Sequence, residues 1–215
     1  MPSPKLYLLT NDDPLSVLLP KLDCALGSGA VDVLQIRRKD TLAKQDLNRY
    51  YAEVETILSH CMNYDIDVVV NDNLELATHF GVGVHLGQAD GSVREARQVL
   101  GKNALIGSTC HASLPLVLSA KEAGASYAAM GTMFVSSTKP SAKIVPNEIL
   151  KQADKLGIDL CVIGGITLDN APVLQKMLDG TRIQYIAVTA DIINKREHLI
   201  AKHCRDWRRL LDNWY

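Results

Sequence analysis

The stretch Asp67-Val68-Val69-Val70-Asn71 decides the fold. Three consecutive β-branched residues between polar ends favour a short strand. The run does not alternate apolar with polar, so neither face is left for water. A strand covered on both faces belongs in a parallel sheet flanked by helices. Outward from it in both directions, similar runs recur at 6–10, 33–35, 83–86, 104–107, 127–131, 160–164 and 185–189, which with 68–71 makes eight.

The segments between these runs read as helices. Residues 41–62 are long and amphipathic. Residues 93–100 follow Ser92, an N-cap with Glu95 at the third helical position. Residues 114–123 stop at Gly124, and 147–156 stop at Gly157. Residues 171–178 start beside Asp169 or Asn170 as caps, with Pro172 tolerated in the first turn. Between 196 and 214, Leu199, Ile200, His203, Trp207, Leu210, Leu211 and Trp214 recur at helical spacing. Strands alternating with helices in this way predict a single-domain (β/α)8 TIM barrel over residues 1–215. An open doubly wound sheet is the competing arrangement. The lack of a G-x-G-x-x-G after the first strand counts against it.

Composition excludes several function classes. The 215 residues carry 23 basic and 24 acidic side chains, a net charge of -1 that suits neither nucleic acid nor a membrane surface. Aromatics are 5%, too few for a stacking platform on single-stranded nucleic acid. No run of about 20 apolar residues is present to cross a membrane, and the first residues lack a signal-peptide core. Cys24, Cys61, Cys110, Cys161 and Cys204 are far apart and odd in number, as expected of reduced thiols rather than a disulfide frame or zinc site. The expected setting is the cytoplasm.

In such a barrel, chemistry sits at the C-terminal ends of the strands. Those ends are polar here. Gln35, Arg37 and Lys39 alternate, so an extended chain puts them on one face. With Lys139 from a later loop, the cations suit a multiply charged phosphate or pyrophosphate. Asp72 and Asp90 follow neighbouring strands and, with phosphate oxygens, could hold Mg²⁺. Gly164-Gly165 and Val188-Thr189 end the last two strands, where a phosphate is usually bound by backbone N–H groups and a helix N-terminus. Plainer readings exist for each. The 37–40 run could be a solvated charge face, the two aspartates helix caps, the glycine pair a tight turn, and Ser136-Ser137-Thr138 a turn. His85 and His111 read as packing or orienting groups.

Taken in order, the strand ends resemble the thiamine-phosphate synthase family. The motifs are Leu6-Tyr-Leu-Leu-Thr10, Gln35-Ile-Arg-Arg-Lys-Asp40, Asn71-Asp72, Gly83-Val-His-Leu-Gly-Gln-Ala-Asp90, Ile106-Gly107 with His111, Gly131 through Ser136-Ser-Thr-Lys-Pro140, Ile163-Gly-Gly-Ile166 and Ile186-Ala-Val-Thr189. The resemblance implies condensation of hydroxymethylpyrimidine pyrophosphate with a thiazole phosphate, releasing pyrophosphate through a dissociative pyrimidine cation. It also implies roles. The segment Gln35, Ile36, Arg37, Arg38, Lys39 and the residue Asn71 would bind the pyrimidine pyrophosphate, Thr109 and Lys139 would complete that site, and Asp72 and Asp90 would hold Mg²⁺. Arg37, Lys39 and Lys139 would be the catalytic cations. Ser136, Ser137 and Thr138 would contact the thiazole phosphate, whose phosphate would rest on Gly164, Gly165, Val188 and Thr189. A homodimer is implied too, with Trp207 and Trp214 as the sharper reading of a subunit contact. The plainer reading makes the last helix an outer barrel helix.

Departures from the family pattern are few. Arg38 stands where an acidic residue is frequent, on the face away from the other cations. Thr109, Ser136 and Thr189 exchange Ser for Thr or the reverse but keep a hydroxyl. Val135 and Lys143-Ile144 replace prolines in 133–144, a segment expected to act as a lid. Asp191 puts a carboxylate beside the expected phosphate turn, where like charge would weaken binding unless it points outward. Three alternatives share the barrel. One is a thiazole tautomerase using His111 as acid or base. The others are a silent ligand-binding regulator and a phosphate-binding isomerase.

Overall fold

The computed structural model describes residues 2–43, 46–135 and 143–215. Eight parallel strands close into a barrel in chain order. They are β1 (Lys5–Leu9), β2 (Val33–Ile36), β3 (Asp67–Asn71), β4 (Gly83–Leu86), β5 (Ile106–Thr109), β6 (Tyr127–Gly131), β7 (Asp159–Ile163) and β8 (Tyr185–Val188). β1 pairs with both β2 and β8, so no sheet edge remains. The helices before β5 are α1 (Leu15–Leu26), α2 (Lys39–Ala43), α3 (Leu47–Cys61), α4 (Leu74–Phe80) and α5 (Val93–Leu100). Those after it are α6 (Leu114–Ala123), α7 (Asn147–Asp154), α8 (Ala171–Met177), α9 (Ala190–Ile193) and α10 (Glu197–Asp212).

The continuous runs have the reason the sequence implied. Alternate residues of each strand face the helices, where Leu8, Leu34, Val70, Val84, Ile106 and Ile186 are fully buried. The intervening residues fill the barrel: Tyr7, Leu9, Val33, Val69, Tyr127 and Cys161 form a second apolar cluster inside it. Size alternates within that interior. A Cβ on Gly107 would lie 2.1 Å from the ring of Tyr127 and 2.5 Å from His85 Nδ1. Only glycine leaves room there for two rings that reach the site from below.

Several expected boundaries move. The helix expected over 41–62 is two helices, because Asp46 caps α3 by accepting from the amide of Arg49. β5 lies two residues later than the apolar run at 104–107 suggests. Trp207 and Trp214 are 0% and 5% exposed, packed into this chain's own core. Neither indole is available to mark a subunit contact. All five cysteines are free thiols. Among the described residues, no helix is long and apolar enough to cross a membrane.

Candidate active site

The ends of β2, β3 and β4 bring one cation and two carboxylates together. Lys39 Nζ lies 3.1 Å from Asp72 Oδ2. The same oxygen accepts from Asn71 Nδ2 at 2.6 Å, while Asp72 Oδ1 accepts from the Gly87 amide at 3.1 Å. Burial works against the charge of Asp72. The Lys39 hydrogen bond and charge, the Gly87 amide and Asn71 outweigh it and hold the carboxyl below its ordinary range. Asp90 moves the other way. Burial, the charge of Asp72 and a hydrogen bond shared with Asp72 raise it, against a weaker pull from Lys39.

Neither aspartate is a helix cap. α4 is capped by Asn73 and α5 by Ser92, whose side chains accept from Leu76 and Glu95 amides. Asp72 instead takes a left-handed φ of 59°, uncommon outside glycine, which turns its carboxylate back toward Gly87. A Cβ on Gly87 would fall 2.3 Å from Asp90 Oδ2. The bare glycine is therefore what lets the two carboxyls meet. Two carboxyls pressed together with one lysine are short of positive charge, and a divalent cation would relieve that. Among the described residues, no group of three or more His, Cys, Asp or Glu gathers around a metal. The donor set fits a cation that completes its shell with water and substrate oxygens, as Mg²⁺ does.

Beneath this cluster a hydrogen-bonded chain crosses the barrel. Gln35 Nε2 donates to Tyr7 OH at 2.9 Å, and the Tyr7 and Tyr127 hydroxyls are 2.7 Å apart. Tyr127 OH lies 3.0 Å from His85 Nδ1, and His85 Nε2 lies 2.9 Å from Thr109 Oγ1. Burial, helped by the Lys39 charge and opposed by Asp72, lowers His85 to about 4, so its imidazole is neutral at pH 7. Burial likewise lifts both tyrosines far above their ordinary values. The floor is thus polar but uncharged. It can present donors and acceptors to a neutral ring while the charges stay above it.

The far end is built differently. Gly164 and Gly165 take φ of 106° and 66°. Added Cβ atoms there would fall 2.6 Å from Thr132 Oγ1 and 2.4 Å from the Phe134 carbonyl oxygen. The backbone after β6 lies directly on this turn, joined by Phe134 N to the Gly164 carbonyl at 2.9 Å. The helix expected to point its N-terminus here is α9, only four residues long, so a helix dipole contributes little. Asp191 does not face the turn as a bare charge: its carboxylate accepts from the Leu168 amide and from side chains of α10.

Not every expected residue reaches the site. β2 ends at Ile36, so Gln35, Arg37 and Lys39 do not share an extended face; Lys39 arrives from the first residue of α2. Ile36 is fully buried among helix-facing residues and has only its backbone to offer. Arg38 is 3% exposed and turned into the wall. Its guanidinium pairs with Glu53 at 2.9 Å and donates to the carbonyls of Asn11 and Asp13 at 2.7 Å. These contacts commit its side chain to the wall, while Lys39 and Asp40 of the same 37–40 run are exposed. Arg37 is half-buried, its backbone held through its N–H and C=O by the Thr10 hydroxyl. Val188 is buried against the helices, which leaves its backbone for a ligand. His111 is exposed. Ser136, Ser137, Thr138 and Lys139 lie outside the described residues, as does most of the expected lid.

Tyr7, Tyr127 and Gly87 carry parts of the site that the sequence reading passed over. Strand parity would have found the tyrosines, since they share the inward face with Gln35, Asn71 and His85.

A family model described as thiamine monophosphate synthase matches residues 6–192. Among solved structures, thiamine phosphate pyrophosphorylase from Pyrococcus furiosus superposes with a TM-score of 0.79 at 24% identity, covering 98% of this chain and 96% of that one. The 3-keto-L-gulonate-6-phosphate decarboxylase of Vibrio cholerae gives 0.72 at 13% identity, covering 99% of each chain. The 3-hexulose-6-phosphate synthase of Salmonella typhimurium gives 0.66 at 15%, covering 97% and 99%. At these identities the structures show a shared barrel.

Proposed function

The chain belongs to the thiamine monophosphate synthase family, and from that premise we propose that it is a thiamine-phosphate synthase of the cytoplasm. It joins 4-amino-2-methyl-5-hydroxymethylpyrimidine pyrophosphate to a thiazole phosphate and releases pyrophosphate. The observation that carries this is the placement of Lys39, Asp72 and Asp90 directly above a neutral hydrogen-bonding floor. A substrate with a neutral heteroaromatic ring at one end and a pyrophosphate at the other matches that division.

Lys39 and Arg37 attract the pyrophosphate, with Lys139 completing the cations by resemblance. Gln35 and Thr109, held in place through Tyr7, Tyr127 and His85, orient the ring. The bond between the pyrimidine methylene carbon and the pyrophosphate oxygen breaks, and its electron pair leaves with pyrophosphate. The cations stand where that negative charge develops. The thiazole nitrogen lone pair then bonds to the methylene carbon, so bond formation needs no general base. Asp72 and Asp90 would hold Mg²⁺, which when bound supplies further charge neutralisation to the leaving pyrophosphate. The Gly164–Gly165 turn and residues Val188 and Thr189 at the end of β8 receive the thiazole phosphate through backbone groups, and by resemblance Ser136, Ser137 and Thr138 would contact it.

The test is a coupling assay with both substrates and Mg²⁺, run beside Asp72→Ala and Lys139→Ala. Thiamine phosphate from the parent and at least hundredfold losses in both variants are expected for groups acting on the leaving charge. No product from the parent would refute the function. Undiminished variants would refute these roles.

A further inference from the structure

Asp191 stands two residues beyond Thr189, where a carboxylate would repel a phosphate. Its surroundings give it other work. Oδ2 accepts from the Leu168 amide at 3.1 Å, from His203 Nε2 at 2.8 Å and from Trp207 Nε1 at 2.8 Å. Lys195 Nζ lies 3.9 Å from Oδ1, and the Asp191 side chain is 6% exposed. One carboxyl thus gathers hydrogen-bond donors from the turn after β7 and from α10, and an ion-pair partner two residues beyond α9.

The turn itself needs such a hold. Gly164 and Gly165 are left-handed, and glycine is the residue with the most conformational freedom to lose. Within the turn, Asn170 donates to the Gly165 carbonyl at 2.8 Å and accepts from the Thr167 amide at 2.9 Å. Those bonds shape the turn but do not set its position relative to β8. The bond from Leu168 to Asp191 does, because Asp191 lies three residues beyond Val188, the last residue of that strand. Trp207 and His203 then fix the carboxyl to α10, whose indole is fully buried.

We infer that Asp191 is the positioning residue of the phosphate end, holding the turn of residues 164–168 at a fixed distance from the end of β8. The inference rests on the proposed function for the identity of the phosphate ester, and on geometry alone for the clamp. The donors and Lys195 also engage the carboxylate, which weakens its repulsion of a phosphate at the turn.

Two readouts test it. The first is steady-state kinetics of Asp191→Ala and Asp191→Asn. Asp191→Ala raises KM for the thiazole phosphate about tenfold, leaves KM for the pyrimidine pyrophosphate within about twofold, and Asp191→Asn, which keeps an acceptor oxygen, recovers most of the loss. The second is an NMR titration of the Gly164 and Gly165 amides with inorganic phosphate, whose midpoint rises about tenfold in Asp191→Ala. Equal changes in both KM values, or an unmoved midpoint, overturn the assignment. Unshifted glycine amides in the parent overturn it whatever the activity. Should Asp191→Ala not fold, His203→Leu removes one donor at a partly buried position with a side chain of similar size, and is expected to move the midpoint about threefold; no movement counts against the clamp. A parent that makes no thiamine phosphate but shifts its glycine amides refutes the proposed function and leaves Asp191 in place.

Discussion

The hydroxyls of Tyr7 and Tyr127 lie 2.7 Å apart inside the barrel, and this contact joins Gln35 on one side of the site to Thr109 on the other. Tyr127→Phe would cut the chain at its middle. The His85 Nδ1 that faces that hydroxyl would be left buried without a partner, at a cost of about 1–3 kcal/mol in urea unfolding. KM for the pyrimidine substrate should rise about tenfold while KM for the thiazole phosphate holds. An unchanged KM would show that the floor does not orient the ring.

Gly87→Ala separates activity from stability. The added methyl would meet Asp90 Oδ2 at 2.3 Å, the far end of a flexible side chain, so the carboxylate can swing aside cheaply. Thermal unfolding should shift by less than about 1 kcal/mol. Coupling activity should fall at least tenfold, with a higher Mg²⁺ requirement, because the two carboxyls no longer meet. A large loss of stability would show that the glycine serves the fold instead.

Arg38→Met should act on the fold first. It removes the partner of a carboxylate whose ordinary burial cost is offset by Arg49, Arg38 and Thr41, which together hold Glu53 below its usual range. Breaking such a pair costs about 3–5 kcal/mol, and the remaining Arg49 and Thr41 contacts place this one near the lower end. Chemical denaturation measures it. A cost below about 1 kcal/mol would return Arg38 to the candidates for substrate contact.

His85 sets a pH limit. Its value of about 4 in the fold lies below the 6.5 of an unburied imidazole, so the unfolded chain takes up the proton first. Stability is intact above about pH 6.5 and falls as pH drops toward 4, by about 3 kcal/mol in all from this group. The groups facing it are Tyr127, Thr109, Asp72 and Lys39. His85→Gln should flatten the pH dependence of unfolding over that window. An imidazole titrating near 6.5 by NMR would contradict a neutral floor.

The barrel was legible because a strand buried on both faces leaves a continuous apolar run, as at Val68, Val69 and Val70. Helices were harder where their signals conflict. α1 carries Pro20 in its interior, and α4 spans seven residues, too few for a full amphipathic period to repeat. The site's charged members were legible as residue types at strand ends. What sequence does not carry is direction. Arg37, Arg38 and Lys39 are three neighbouring cations, and only the turn after β2 decides that Arg38 enters the wall while Lys39 reaches Asp72. Asp191 illustrates the same limit: its hydrogen-bonding partners His203 and Trp207 lie 12 and 16 residues away, on a helix whose orientation no local pattern gives.

Segment 35–39 has a bearing on engineering this barrel toward other substrates. A library that randomises all five positions would spend most of its members on two that are not open to choice. Ile36 and Arg38 belong to the wall, and most replacements there would be lost as insoluble protein before any activity could be screened. Fixing those two and varying Gln35, Arg37 and Lys39 cuts the amino-acid combinations by about four-hundredfold. The survivors would sample recognition rather than foldability.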